Sequence, residues 1–414
     1  MESKVLLFPL KVVLIFLVFS ELLIWIGPID YDISNSATLL LFLLIVNVSF
    51  YWGYKLGIKK KYKSSTTIIP LIYIKILIII GFLLTIHNLY YLWSRNGIEV
   101  SVSNLVLSLL SPGDAYFSEA DTAVRETPFH LFMSPLRFST IPLSIFSWKR
   151  LSKTYRAIVV ATCIIEMFAW LGIGTRKGLF DVILLIIFMI IAADTTIITD
   201  STKNRKLRIV SIVFIFGFLV YFVFSGVSRA GGTQLADVAN RYGIKEVYKN
   251  NLPEWLFYPV ASIDSYLCQG YYALSKGLEI GLKPVTFMGQ SWFTINFSIN
   301  HFRYNPLPDT YMQDLITYGI DPWVNWHTIY LWLANGFSFI GVPFVIMLIG
   351  FFFGRTWSDV VAGHNTLAVP IFCLFLIMAV YFYANNQVIS FQFLSFVVWF
   401  TIWALSKILK GQHG

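Results

Sequence analysis

Arg176 and Lys177 sit in GIGTRKGLFD (172–181), a short hinge between two long apolar runs. An arginine offers a planar fork that grips two phosphate oxygens at once, so this pair suits an anionic ligand. Charges at the edge of hydrocarbon can also snorkel to the headgroups, which makes membrane anchoring the alternative reading. Arg229 occupies a comparable place in SGVSRAGG (225–232), where Gly231 and Gly232 allow backbone N–H groups to face an anion. Arg303, in HFRYNPLPDTYMQDLITYGIDPWVNW (301–326), completes the candidate cationic ligands.

Base chemistry calls for a group that can take a proton near neutral pH. His327, in WHTIYLWLANGF (326–337), qualifies, because neutral imidazole is available near pH 7 without special tuning. The stretch reads as a helix with His327 and Tyr330 one turn apart on one face, Tyr330 being a candidate substrate contact. An interfacial aromatic belt accounts for Trp323, Trp326 and Trp332. Glu166 lies deep in an apolar run with no charged neighbour in sequence. It either pairs across helices with Lys75 or faces a polar cavity, and so counts as a catalytic candidate. Glu21 and Asp181 also interrupt apolar runs, and Asp181, four residues after Lys177, is placed for a local ion pair. Asp264 is a third catalytic candidate. Asp309, Asp314 and Asp321 read as solvated loop or cap residues, and no two of these carboxylates form an evident acid–base couple.

Other chemistries find no foothold. The histidines share no metal-ligand spacing, so no metal site is expected. There is no Walker A loop, no dinucleotide fingerprint and no Gly-x-Ser-x-Gly elbow, so neither nucleotide energy nor a cofactor is expected. Cys163 and Cys373 lie in apolar runs and Cys268 stands alone, which gives no disulfide framework.

These residues must be held by something largely apolar. The chain is 57% hydrophobic and 13% charged, against about 25% charged for a soluble domain, and its mean hydropathy is +0.69. About ten runs are long enough to approach or cross some 30 Å of hydrocarbon: 5–27, 36–54, 67–93, 128–147, 157–173, 178–198, 208–227, 338–354, 366–384 and 388–407. The expected fold is therefore all-α and polytopic in a membrane. The first run is too long for a signal-peptide core and reads as a retained span.

Positive charge orients the spans. Lys55 to Lys63, Lys149 to Arg156 and Lys203 to Arg208 make every second loop basic. That places both termini in the cytoplasm and Arg176, Lys177 and Arg229 on the outer face, against the charge bias. The net charge of +9 follows this topological pattern rather than a nucleic-acid surface. Three parts result: helices in 1–227, an outer loop of about 110 residues in 228–337, and helices in 338–414. Within the loop, 253–281 has helical spacing and is expected on or in the outer leaflet, whereas 301–326 reads as irregular. A short interfacial helix is expected at 101–110.

A Gly-x-Arg hinge opening a span, an arginine in a long outer loop, and HTIYLWLANGFSFIGVPFVIMLIGFFFG (327–354) leading into a Gly-rich span occur together. Over roughly residues 130–410 this combination resembles the oligosaccharide repeat-unit (O-antigen or capsule) polymerases, which belong with the integral-membrane C-type glycosyltransferases. The resemblance implies an enzyme at the outer face of the plasma membrane. Its donor and acceptor would be oligosaccharides on polyprenyl pyrophosphate, its surroundings membrane lipid, and a chain-length regulator protein a candidate partner. The family's hinge arginine falls on Arg176 and its loop arginine on Arg229. Many members carry Asp-x-Gly-x-x-Gly entering the late span. Here Gly341 fits the last glycine, Ser338 fills the other glycine position, and Gly336 stands in place of the acid. Two rival readings are an O-antigen ligase, which passes the same donor to lipid A core, and a transporter or flippase for lipid-linked sugars.

Overall fold

A computed structural model describes residues 3–59, 67–95, 97–110, 128–203, 216–217, 219–224, 243–322 and 325–411, with positions 205 and 209. The described residues are helical, with no named strand and one isolated bridge between Ile29 and Ile244. We number the principal helices α1 (Phe8–Ile26), α2 (Ser36–Gly57), α3 (Leu71–Arg95), α4 (Val102–Leu110), α5 (Pro128–Phe146), α6 (Lys153–Gly172) and α7 (Lys177–Ala193). They continue with α8 (Glu254–Ile280), α9 (Trp292–Phe302), α10 (Ile329–Gly363), α11 (Ala368–Val380), α12 (Gln387–Phe391) and α13 (Phe393–Gly411). Among the described residues, five helices (α1, α2, α3, α6 and α10) are long and apolar enough to cross a membrane, and α11 and α13 are shorter apolar helices. The run 208–227 falls largely, and Arg229 wholly, outside the described residues.

Large apolar side chains point outward as well as inward. Leu44 is 60% exposed and Phe344 64% exposed, while Val46 and Ile346 on the same helices are fully buried. A surface so rich in exposed aliphatic and aromatic groups suits hydrocarbon rather than water.

The most extensive helix pair is α2 with α10, and glycines explain its closeness. Gly53 and Gly57 on α2 face Gly350 and Gly354 on α10, a four-residue spacing on both sides. A Cβ on Gly53 would stand 1.9 Å from the Met347 carbonyl oxygen, and one on Gly350 2.5 Å from that of Phe50. Backbones that approach so closely exclude any side chain, the usual device of packed membrane helices.

Three expectations need correction. The span expected at 338–354 is the middle of a 35-residue helix, α10, which starts where Thr328 caps it by accepting the Leu331 N–H (3.2 Å). Its backbone breaks at Ser338, with φ 58° and ψ 159°. His327 therefore precedes the helix, and His327 and Tyr330 do not share a helical face. Segment 253–281 is helical, as α8, but it is enclosed rather than laid on a surface. Ala261, Cys268, Tyr271, Ala273 and Leu274 are all 1% exposed or less, because small and apolar residues around most of α8 allow α1, α2 and α10 to pack against it. Segment 301–326, expected to be irregular, contains three short helical turns between Leu307 and Tyr318.

Candidate functional site

The hinge that carries Arg176 is a tight reversal. Gly174 adopts φ 68°, a left-handed conformation that suits glycine. The turn closes through Gly174 N–H to Leu171 O and Thr175 N–H to Trp170 O, both 3.0 Å. Arg176 is the N-cap of α7 and Lys177 its first residue. Two cations therefore stand where the helix dipole already presents positive charge, an arrangement that costs stability unless something negative offsets it. Asp181, one turn on, makes an ion pair with Lys177.

Aromatic rings build out from these cations. The Arg176 guanidinium lies 4.4 Å from the centre of the Phe222 ring, and only 9% of the residue is exposed. Phe222 meets Tyr266 on α8 at 4.8 Å, and Tyr266 meets both Trp326 (5.6 Å) and Tyr383 (6.3 Å). Tyr383 stacks on Tyr381, which lies 5.0 Å under the Lys177 ammonium. The path leads from Arg176 and Lys177 to the segment that contains His327.

His327 is fully buried, and neither ring nitrogen has a hydrogen-bond partner. Burial pushes its pKa down to about 4, against the weaker opposing pull of the Asn325 backbone and Asp321. Its main chain is clamped by Asn385, whose side-chain oxygen accepts the His327 N–H (3.0 Å) and whose own N–H donates to the His327 carbonyl. Asn385 also accepts from the Trp332 indole (2.9 Å) and sits at φ 46°. The next two residues, Asn386 and Gln387, are buried, and the Asn386 side-chain oxygen and the whole Gln387 amide lack partners. Buried polar atoms normally find partners. His327, Asn386 and Gln387 all depart from that rule.

No family model matches this sequence, and neither a curated protein nor a solved structure does. The site is therefore judged on its own geometry.

That geometry divides the candidates. Arg176, Lys177 and His327 belong to one aromatic-lined region at one end of the bundle. Glu166 lies behind it, one of its oxygens accepting from the Trp170 indole (3.1 Å) and the other unpartnered. The Lys75 partner considered for it lies instead 5.4 Å over the Tyr155 ring. Asp264 belongs elsewhere: it accepts the Ile29 N–H (2.9 Å) and packs against Gly27, whose missing Cβ would stand 2.3 Å from its carboxylate. Lys245 donates to the Trp25 and Gly27 carbonyls beside it (2.7 and 2.8 Å). Asp264 thus ties the end of α1 to α8, while its other carboxylate oxygen is buried without a hydrogen-bond partner. Tyr330 sits in the core between Phe42 and Phe382, wholly buried like His327 and with its hydroxyl likewise without a hydrogen-bond partner. Arg303 is an exposed left-handed cap ending α9 and is not part of the cluster. Tyr311 is buried, its hydroxyl donating to Gly281 O (2.8 Å).

Asn385, Asn386 and Gln387 are the site residues that the sequence reading passed over. Their signal is YFYANNQ (381–387), three consecutive amides between two strongly apolar runs.

Proposed function

We propose that this chain is a polytopic membrane glycosyltransferase that polymerises polyprenyl-pyrophosphate-linked oligosaccharide units into a surface polysaccharide. About ten spans carry it through the plasma membrane, with both termini cytoplasmic and the Arg176 end of the bundle outside. The observation that carries the reading is a relay of aromatic rings from Arg176 and Lys177 to the segment that holds His327, whose buried ring nitrogens have no hydrogen-bond partner.

In this scheme Arg176 grips the donor pyrophosphate, and the acceptor hydroxyl oxygen attacks the anomeric carbon. The bond from that carbon to the pyrophosphate oxygen breaks, and its electron pair leaves on the phosphate, stabilised by the guanidinium. The proton of the hydroxyl passes to His327, whose low pKa keeps it neutral and able to accept. Tyr266, Tyr383 and Trp326 offer faces for sugar rings, and the amides at 386–387 offer hydrogen bonds to hydroxyls. No nucleotide is needed, because cleavage of the sugar–pyrophosphate bond drives transfer.

Purified protein in liposomes, given a lipid-linked repeat unit alone, is expected to produce a ladder of polymer. A ligase would need lipid A core as acceptor, and a flippase would form no glycosidic bond, so the same assay separates both rivals.

A further inference from the structure

We infer that the bundle holds a second anion site, for the phosphate group of a lipid, in a cavity centred on Arg137. Building on the proposed polymerase function, it would receive one phosphate of the acceptor's lipid carrier while Arg176 holds the pyrophosphate of the donor. The cavity lies among α3, α5, α6, α9, α12 and α13 and has a volume of about 80 Å³. At about 10–15 Å³ for one water, that is space for roughly five to eight, enough for a tetrahedral oxyanion.

Its lining is largely aromatic and aliphatic, with polar side chains set among the rings. Arg137, Asn88, His130, Ser134 and Ser390 all contribute, and no carboxylate does. One terminal nitrogen of Arg137 and the side-chain nitrogen of Asn88 are buried without a hydrogen-bond partner. Both can only donate, and burying them unmade is costly, so the cavity is built for an acceptor-rich guest. A guanidinium inside an apolar helix bundle selects among such guests for an anion. The Tyr91 ring stacks on His130 at 3.8 Å and fixes the imidazole plane.

Position argues for a lipid. Phe391, which lines the cavity, is 59% exposed, and Phe129, edge-on to His130, is 49% exposed. Hydrocarbon can lie along both rings while the phosphate enters. The neighbourhood argues for an acceptor. Trp170 and Phe391 line this cavity on one side, and on the other Trp170 packs over Gly178 while Phe391 lies 6.0 Å from the Lys177 ammonium. Two rings therefore separate the two cationic sites, which sets two bound lipid phosphates side by side.

Native mass spectrometry of the full-length protein in detergent, titrated with a long-chain polyprenyl phosphate, counts the sites. Wild type is expected to bind two, and the uncharged polyprenol none. Arg137→Gln should weaken one of the two by about tenfold or more, the scale of a lost charged hydrogen bond, and leave the other intact. Arg176→Ala should do the converse. Arg137→Lys, which keeps the charge and preserves folding if the glutamine variant does not, should lose less. Inorganic phosphate that fills the Arg137 site as well as the lipid phosphate would keep the anion site and remove its lipid assignment. Two undiminished equivalents in Arg137→Gln and Arg137→Lys would overturn the proposal. Because binding is read without turnover, a wild type that binds two lipids yet makes no polymer removes the proposed function and leaves this site standing.

Discussion

Arg176 is the residue on which most depends, because it combines a fixed position, an aromatic platform and charge at a helix start. Arg176→Ala should abolish polymer while the protein remains inserted and folded. Arg176→Lys should also be poor, since a point charge does not reproduce two parallel contacts. His327 predicts a pH effect. A base must be neutral to accept a proton, so turnover should fall as pH drops through about 4, and that acid limb should vanish in His327→Ala. General-base catalysis contributes about 10²–10⁴-fold, and His327→Ala should lose turnover on that scale with donor binding little changed. A normal rate in this variant would move the role to Glu166.

Asp264 makes a different prediction. Burial raises its pKa to about 6, above the ordinary carboxylate value near 3.8 that it regains on unfolding. The folded state then binds more protons between those values, so stability should decline as pH rises from about 4 to 6. Asp264→Asn keeps an oxygen for the Ile29 N–H and should flatten that slope in thermal melts at a series of pH values. A slope unchanged from wild type would contradict the structural role assigned here.

The site depends on how the helices are broken and packed. Ser338 holds a backbone conformation that is close to glycine-only, with a cost on the order of 1–3 kcal/mol. Ser338→Gly should therefore raise the melting temperature, by roughly 1 kcal/mol of stability once glycine's own entropy is counted. A lowered melting temperature would show that the serine is held by contacts worth more than the strain. The four-residue glycine spacing of α2 and α10 makes a sharper case. Gly53→Leu should disrupt the pair outright, because its Cβ alone would already overlap a carbonyl oxygen, and loss of folded protein on size-exclusion chromatography would register it.

Much of this was legible in the sequence at the level of elements, and the reasons are physical. Runs such as 5–27 and 36–54 are apolar over the length that hydrocarbon demands, so the helices Phe8–Ile26 and Ser36–Gly57 and their approximate ends follow from composition. The Gly174 turn and its two cations are equally visible. Enclosure of α8 was not, because an amphipathic segment between a membrane and its surface has the same spacing as one packed inside a bundle. The tie made by Asp264 was hidden for a related reason: sequence shows a carboxylate, but only tertiary structure shows that it receives the Ile29 N–H. Asn385 acts through contacts across 58 residues of chain, and Arg137 through a cavity shared by six helices, neither of which periodicity encodes.

For the molecule as a whole, charge is sorted between two ends. Opposite the Arg176 end, Asp359 is buried with Lys407 (2.6 Å), Arg355 (3.3 Å) and the Trp403 indole (2.8 Å), and Lys149 pairs with Asp194 (3.1 Å). The proposed orientation puts that end in the cytoplasm, where basic loops belong. Reporters fused after Lys63, Arg156 or Arg208 should then read cytoplasmic, and one inserted near Pro308 should read external. A cytoplasmic reading at Pro308 would place the whole site on the wrong face.

The central claim is that the Arg176 end of the bundle forms glycosidic bonds between lipid-linked oligosaccharides. Its most direct test is turnover of purified protein in liposomes, supplied only with a polyprenyl-pyrophosphate-linked repeat unit. Wild type should yield polymer on lipid with release of polyprenyl pyrophosphate, and Arg176→Ala, equally folded, should yield none. Absence of polymer and of released carrier from active-folded wild type, or an unchanged product ladder from Arg176→Ala, would contradict the account.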